Sequence, residues 1–191
     1  MAELKDWSGM MAHHAALLER RTGAGVAEWN ERVRDSGADA DETQLRAWLT
    51  VQGVTGYPQQ LLVFERFGYP DFLTASAGDL IDAQYADRQV LRPIFDAVVA
   101  AVQDLGGVTI QARKGYVSLV TPRRTFAAVR PTTRDRLDVG LRLPGREPAG
   151  RLEPSKGLGN DVINVRVSLR SPGDLDDEVV GLLRAAYDEN A

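Results

Sequence analysis

Hydrophobic and polar positions change their period once along this chain. From residue 8 to about residue 88 the apolar residues recur at helical spacing and no run alternates with period two. "GVAEWNERVRDSG" sets Val26, Trp29 and Val33 on one side of a helix and stops at Gly37. "DETQLRAWLTVQG" opens with an acidic first turn, turns Leu45, Trp48 and Leu49 inward and stops at Gly53. "YPQQLLVFERFG" follows, with Pro58 in its first turn and Leu61, Leu62, Phe64 and Phe67 facing inward. These patterns predict a compact helical domain over residues 1–76, with the three tryptophans in its core. Residues 77–92, small and polar, read as a helical connector to a second domain over residues 77–191. "RPIFDAVVAAVQDLGG" then predicts a helix with Ile94, Phe95, Val98, Val99, Val102 and Leu105 on one stripe and Gly106-Gly107 at its end.

Alternation with period two begins at residue 108. "VTIQARK", "YVSLVT", "TFAAVRP", "RLDVGLRLP" and "INVRVSLR" each place apolar and polar side chains on opposite faces, which predicts five strands. The first four are separated by intervals too short for crossover helices, so they are expected as antiparallel neighbours. Residues 144–161, "PGREPAGRLEPSKGLGND", form a long Pro/Gly-rich connection. "SPGDLDDEVVGLLRAAYDEN" closes the chain as a helix with Leu175, Val179, Leu182, Leu183 and Ala186 on one stripe. The expected fold class is α+β: a helical domain, then a five-stranded, mainly antiparallel sheet flanked by two helices on one face. Apolar parity in the last strand, Ile163, Val165, Val167 and Leu169, should point to those helices. Arg113, Arg136, Arg142, Arg166 and Arg170 should then project from the opposite, open face.

Charge makes that open face interesting. The chain carries −4 overall, but residues 113–170 hold thirteen basic and five acidic side chains, a net +8, leaving −12 for the remainder. Segregation of this kind bears on partners and not on fold. Arginines at alternate strand positions bind phosphates or carboxylates bidentately, and an adjacent aromatic such as Tyr116 adds a stacking platform for single-stranded nucleic acid. An exposed antiparallel face is also polar by default, and acids such as Asp138 can pair with its arginines.

Other chemistries lack their residues. The absence of cysteine removes disulfides, thiolate nucleophiles and cysteine-ligated metals, and suits a reducing compartment. His13 and His14, the only histidines, diverge by about 100° on a helix and cannot grip one metal together. The chain shows no nucleophile elbow, Walker loop or S-x-x-K in a suitable context. "GLGNDV" leads into a strand instead of a helix, and the acids at 174–178 serve a helix N-terminus. Neither a membrane span nor a secretion signal is expected, so the chain reads as cytoplasmic.

Two stretches resemble known bacterial families. "MMAHHAALLERRTGAGVAEWNERVRDSG" followed by "LRAWLTVQGVTGYPQQLLVF" is similar to domain of unknown function 4287, a small helical family. "YVSLVTPRRTFAAVRP", "RLDVGLRLPG" and "INVRVSLRSPGDLDDEVVGLLRAAYD" are similar to domain of unknown function 5655, which often follows the first family in one chain. The resemblance implies a two-domain layout and brings no established activity. The chain also departs from both patterns. It has Gly56-Tyr57-Pro58 where the first family tends to carry a histidine-containing turn, and "KGLGND" where the second tends to carry a longer Gly/His/Trp loop.

The expected function is that of a bacterial cytoplasmic binding or accessory protein, with an anionic small molecule or nucleic acid held on the basic sheet face. The candidate ligand-binding residues are Arg113, Tyr116, Arg142, Lys156, Arg166 and Arg170, with Lys156, Gly157 and Gly159 closing over the ligand. No catalytic residue, metal ligand or cofactor is expected. The alternatives are a small enzyme with an interdomain site and a structural protein whose open face meets its own copy as a homodimer.

Overall fold

The computed structural model describes residues 3–155, 157–158 and 161–191. Its contacts divide into two units. One is Trp7–Thr74; the other joins the amino-terminal strand to Ala75–Ala191.

The first unit is helical: α1 (Ser8–Thr22), α2 (Val26–Ser36), α3 (Glu42–Val51), α4 (Tyr57–Phe67) and the short α5 (Asp71–Thr74). Leu18, Trp29, Val33, Leu45, Leu49, Val54, Leu62 and Val63 form its core, with Trp48 packed against them. Trp7 stands apart from that cluster and meets Phe72 edge-on, and Phe67 is 43% exposed. Gly23 ends α1 at φ 74°, a left-handed conformation that costs glycine little, and its N–H closes on the Glu19 carbonyl. Trp29 Nε1 donates to Thr22 Oγ1 at 2.8 Å, so the indole is buried with its polar atom satisfied. The Asp41 carboxylate caps α3 by accepting from Gln44 N. His14 lies buried with its ring stacked on Tyr57 at 4.6 Å.

The second unit is an α+β layer of seven strands, where the sequence predicts five. They are β1 (Glu3–Lys5), β2 (Thr109–Ala112), β3 (Val117–Val120), β4 (Thr125–Pro131), β5 (Leu137–Leu141), β6 (Glu153–Pro154) and β7 (Val165–Leu169), in the spatial order β1-β2-β3-β4-β5-β7-β6. The two additional strands lie at the edges. β1, which precedes the helical unit in the sequence, runs parallel to β2, and β6 is a two-residue antiparallel pairing with β7. Neither could announce itself by alternation, because three exposed residues, or two of which one is a proline, carry too little pattern. Every other neighbouring pair is antiparallel. Three helices belong to this unit: α6 (Ala77–Tyr85), α7 (Arg92–Gln103) and α8 (Asp177–Asn190). The stretch read as a connector contains α6, which buries Leu80, Ile81, Gln84 and Tyr85 and packs against β2. α8 lies over β4 and β5 and touches α7.

Register assigns the two faces. Ile110, Leu119, Ala127, Leu141 and Val165 make one row, and Ala112, Val117, Val129, Val139 and Val167 the next. All are buried, and the helices' apolar stripes cover them. A bulge at Leu119/Val120 leaves Phe126 as the extra residue of β4. Its ring turns to the helix side, where Tyr187 of α8 meets it edge-on at 5.6 Å.

One expected parity is corrected. Ile163 does not continue the row of Val165, Val167 and Leu169. It packs on the opposite face with Ala128 and Leu158, above Gly140, where an added Cβ would stand 2.5 Å from Ile163 Cγ2. The alternation breaks at Asn164. Its side-chain amide accepts from Leu143 N and donates to the Leu143 carbonyl, both at 2.8 Å. A side chain thus takes the place of a strand partner, and the regular ladder starts one residue later.

Candidate ligand-binding face

The polar face of the sheet is built from β2 to β7. Its centre is Asp138, a fully buried carboxylate on β5. Thr132 Oγ1 donates to it at 2.6 Å, Arg166 Nη1 at 2.8 Å and Ser168 Oγ at 2.9 Å, and Arg136 Nε lies 3.1 Å away. Such crowding is what a buried carboxylate requires, since its oxygens must find partners away from water. Register explains the gathering: Asp138 stands opposite Arg130 on β4 and Ser168 on β7, with Arg136 two positions earlier, just before β5 begins.

Arg166 bridges Asp138 to Glu153 of β6, donating through Nη2 to Glu153 Oε2 at 2.7 Å. Arg170, beyond the end of β7, is exposed and ion-paired with Asp135. The Thr133 hydroxyl, with the Arg170 guanidinium beside it, holds the Asp135 carboxyl below the usual carboxylate range. Both arginines named from the sequence in this strand therefore carry intramolecular carboxylate partners. An incoming anion would compete with those carboxylates, which makes Arg166 a framework residue first.

The remaining candidates fall in separate places. Arg113 and Tyr116 share the β2–β3 hairpin, where Arg113 N donates to the Tyr116 carbonyl and Arg113 Nη2 to Gln111 Oε1. The Gln84 amide of α6 ties both backbone carbonyls, so the hairpin is held from below. Tyr116 is half-buried against Ala128, Leu158 and Ile163 on the polar face. Arg142 leaves the opposite end of β5, four residues or about 13 Å along the strand from Asp138. Lys156 and Gly159 lie outside the described residues.

The sequence reading did not single out Arg130. Its position flanks the Val117–Val129 pair on the side where Tyr116 flanks it, so the two are neighbours across β3 and β4. Arg130 is exposed, and its guanidinium donates to the Gly157 carbonyl at 2.7 Å. A carbonyl satisfies a donor without cancelling the charge. The signal was present as an isolated arginine at an outward parity of "TFAAVRP", but only the fold says which neighbour that parity meets. Arg113, Tyr116, Arg130 and Arg136 thus stand along one end of the polar face. Leu158 and Ile163 cover the adjoining Ala128 and Gly140.

Among the described residues no group of three or more histidine, aspartate or glutamate side chains is placed to hold a metal ion. No described helix is long and apolar enough to cross a membrane. Residues 81–190, spanning α6 through α8, match the family described as Domain of unknown function (DUF5655). The chain belongs to that family. The match begins within α6, takes in α7, α8 and every strand of the DUF5655 unit except β1, and stops short of the helical unit. No curated protein and no solved structure matches the chain.

Proposed function

We propose that this DUF5655 protein is a bacterial cytoplasmic binding or accessory protein without catalytic activity, and that it holds a phosphate-bearing ligand, nucleic acid above all, on the polar face of its sheet. Its helical unit, similar to domain of unknown function 4287, then serves as an interaction module. The observation carrying the reading is Arg130: an exposed guanidinium whose observed partner is a carbonyl, beside the half-buried ring of Tyr116, in a segment of net charge +8. Ring and guanidinium side by side supply stacking and charge together, the pairing by which single strands are held without sequence preference. Arg113 extends the row and Arg136 closes it, while Arg166 and Arg170 serve mainly to keep the face folded.

Titration of a fluorescent 20-mer of single-stranded DNA or RNA, and separately of ATP and pyrophosphate, across a salt series tests this reading. Arg130→Glu and Tyr116→Ala should each weaken oligonucleotide binding roughly tenfold, and Arg130→Glu should lower the slope of log K on log salt by about 1. Arg142→Glu, at the far end of the strand, should weaken the oligonucleotide and leave ATP unchanged. Equal losses for both would favour a small ligand spread over the face. Binding by none of the probes at low salt, or binding indifferent to Arg130 and Tyr116, would remove the proposed surface.

A further inference from the structure

The helical unit contains a cavity of about 280 Å³ between α2 and α4. Asn30, Val33 and Arg34 face it from α2, at the i, i+3, i+4 spacing that puts three side chains on one side of a helix. Glu65 and Arg66 face it from α4, and Asp39 returns to it from the turn after Gly37. Val33, buried in the core, supplies an apolar floor.

The charges lining this cavity are unequally satisfied. Arg66 Nε and Asp39 form an ion pair at 2.7 Å and cancel one another. Glu65 is held by two neutral donors: Asn30 Nδ2 donates to Oε2 at 3.2 Å, and the Tyr69 hydroxyl donates to Oε1. Burial, reinforced by Glu65 itself, raises the Tyr69 phenol far above its usual range, so it remains a donor at any ordinary pH. Neutral donors orient a carboxylate without removing its charge, and two oxygens offer about four acceptor sites, of which these take two. The guanidinium of Arg34, exposed in the last turn of α2, has no hydrogen-bond or ion-pair partner among the described residues. The cavity therefore has one uncancelled cation and one uncancelled, pre-oriented anion on different helices above an apolar floor.

We propose that this cavity binds a small zwitterion, specifically a free α-amino acid, with its carboxylate on Arg34, its ammonium on Glu65 and its side chain toward Val33. A guanidinium takes a carboxylate bidentately, and a carboxylate fixed by neutral donors keeps acceptor capacity for an ammonium. A ligand carrying only one of the two charges would leave the other wall unanswered. The site lies in the helical unit and uses none of the sheet residues, so its failure and that of the sheet-face reading are separate results.

Backbone amide NMR of the full chain with L-leucine as probe tests the proposal, with N-acetyl-leucine and leucinamide as analogues lacking one charge each. Saturable shifts should appear at Asn30, Arg34 and Glu65, and each analogue should bind at least about tenfold more weakly. Arg34→Gln and Glu65→Gln should lower leucine affinity by a similar factor while leaving the far-UV CD spectrum intact. Should a variant lose its helical signal, the two analogues on the unaltered protein decide. Absence of saturable shifts up to the solubility limit of leucine, or analogues that bind as well as leucine, would overturn the assignment.

Discussion

Replacing Asp138 by asparagine keeps the side chain's shape and removes the one charge around which the polar face is organised. Thr132, Ser168, Arg136 and Arg166 all converge on that carboxylate, which has no exposed surface. In the variant Arg166 keeps Glu153, whereas Arg136 has no carboxylate left at ion-pair distance among the described residues. The asparagine Nδ2 would also point a donor at groups that are themselves donors. Breaking a buried ion pair from one side costs roughly 3–5 kcal/mol. Here the guanidinium side chains are 20% and 24% exposed, so water takes up part of their lost interaction and the lower end, about 3 kcal/mol, applies. With a urea dependence of about 2 kcal/mol per molar, the midpoint should fall by about 1.5 M. The three tryptophans lie in Trp7–Thr74, so their fluorescence reads the helical unit and serves as an internal reference. The loss should therefore appear in the sheet's far-UV CD signal. A double-mutant cycle of Asp138→Asn with Arg136→Gln should return a coupling of about 1 kcal/mol or more. A midpoint within about 0.3 M of the parent's, or a coupling near zero, would show that the network does not hold the face together.

Three further outcomes follow from single groups. Burial, with a smaller contribution from His13, lowers the His14 imidazole below its usual 6.5; the unfolded chain thus takes up a proton that the folded one refuses. Stability from this group is complete above about pH 6.5 and falls as pH drops toward the lower folded value; His14→Gln should flatten the fluorescence-detected pH dependence in that window, and an unchanged slope would contradict the burial argument. Tyr85 is buried with no hydrogen-bond partner for its hydroxyl among the described residues, so Tyr85→Phe should be neutral or stabilising by about 1 kcal/mol in thermal melts, and a loss of that size would reveal a hidden partner. Gly140→Ala brings a methyl against Ile163 and should cost about 1–3 kcal/mol, with Ile163→Ala in the same chain recovering part of it; strictly additive losses would refute the contact.

What could be read before folding follows the length of each pattern. α2, α3, α4, α7 and α8 announce themselves because several turns repeat one stripe, and β2 to β5 because four or more residues alternate. β1 and β6 are too short to repeat anything, and the break at Asn164 is invisible because "INVRVSLR" alternates without a flaw. Only the amide's grip on Leu143 discloses that Ile163 belongs to the other face. The candidate site was legible in composition and parity but not in pairing. Parity placed Arg166 on the outward face, yet the carboxylates that occupy it come from β5 and β6, whose register no alternation encodes. The same cross-strand register raised Arg130 from an unremarked position to the centre of the proposed surface.

The parallel edge strand near the amino terminus has a practical meaning for anyone dissecting this chain. A fragment cut near residue 75 would retain the whole family match at 81–190 but leave Glu3–Lys5 behind, baring one side of Thr109–Ala112. That row of main-chain donors and acceptors would invite pairing with another molecule. Cloning boundaries drawn from family similarity alone would then yield a sticky sheet from a well-behaved parent, and restoring a short tethered strand should cure it.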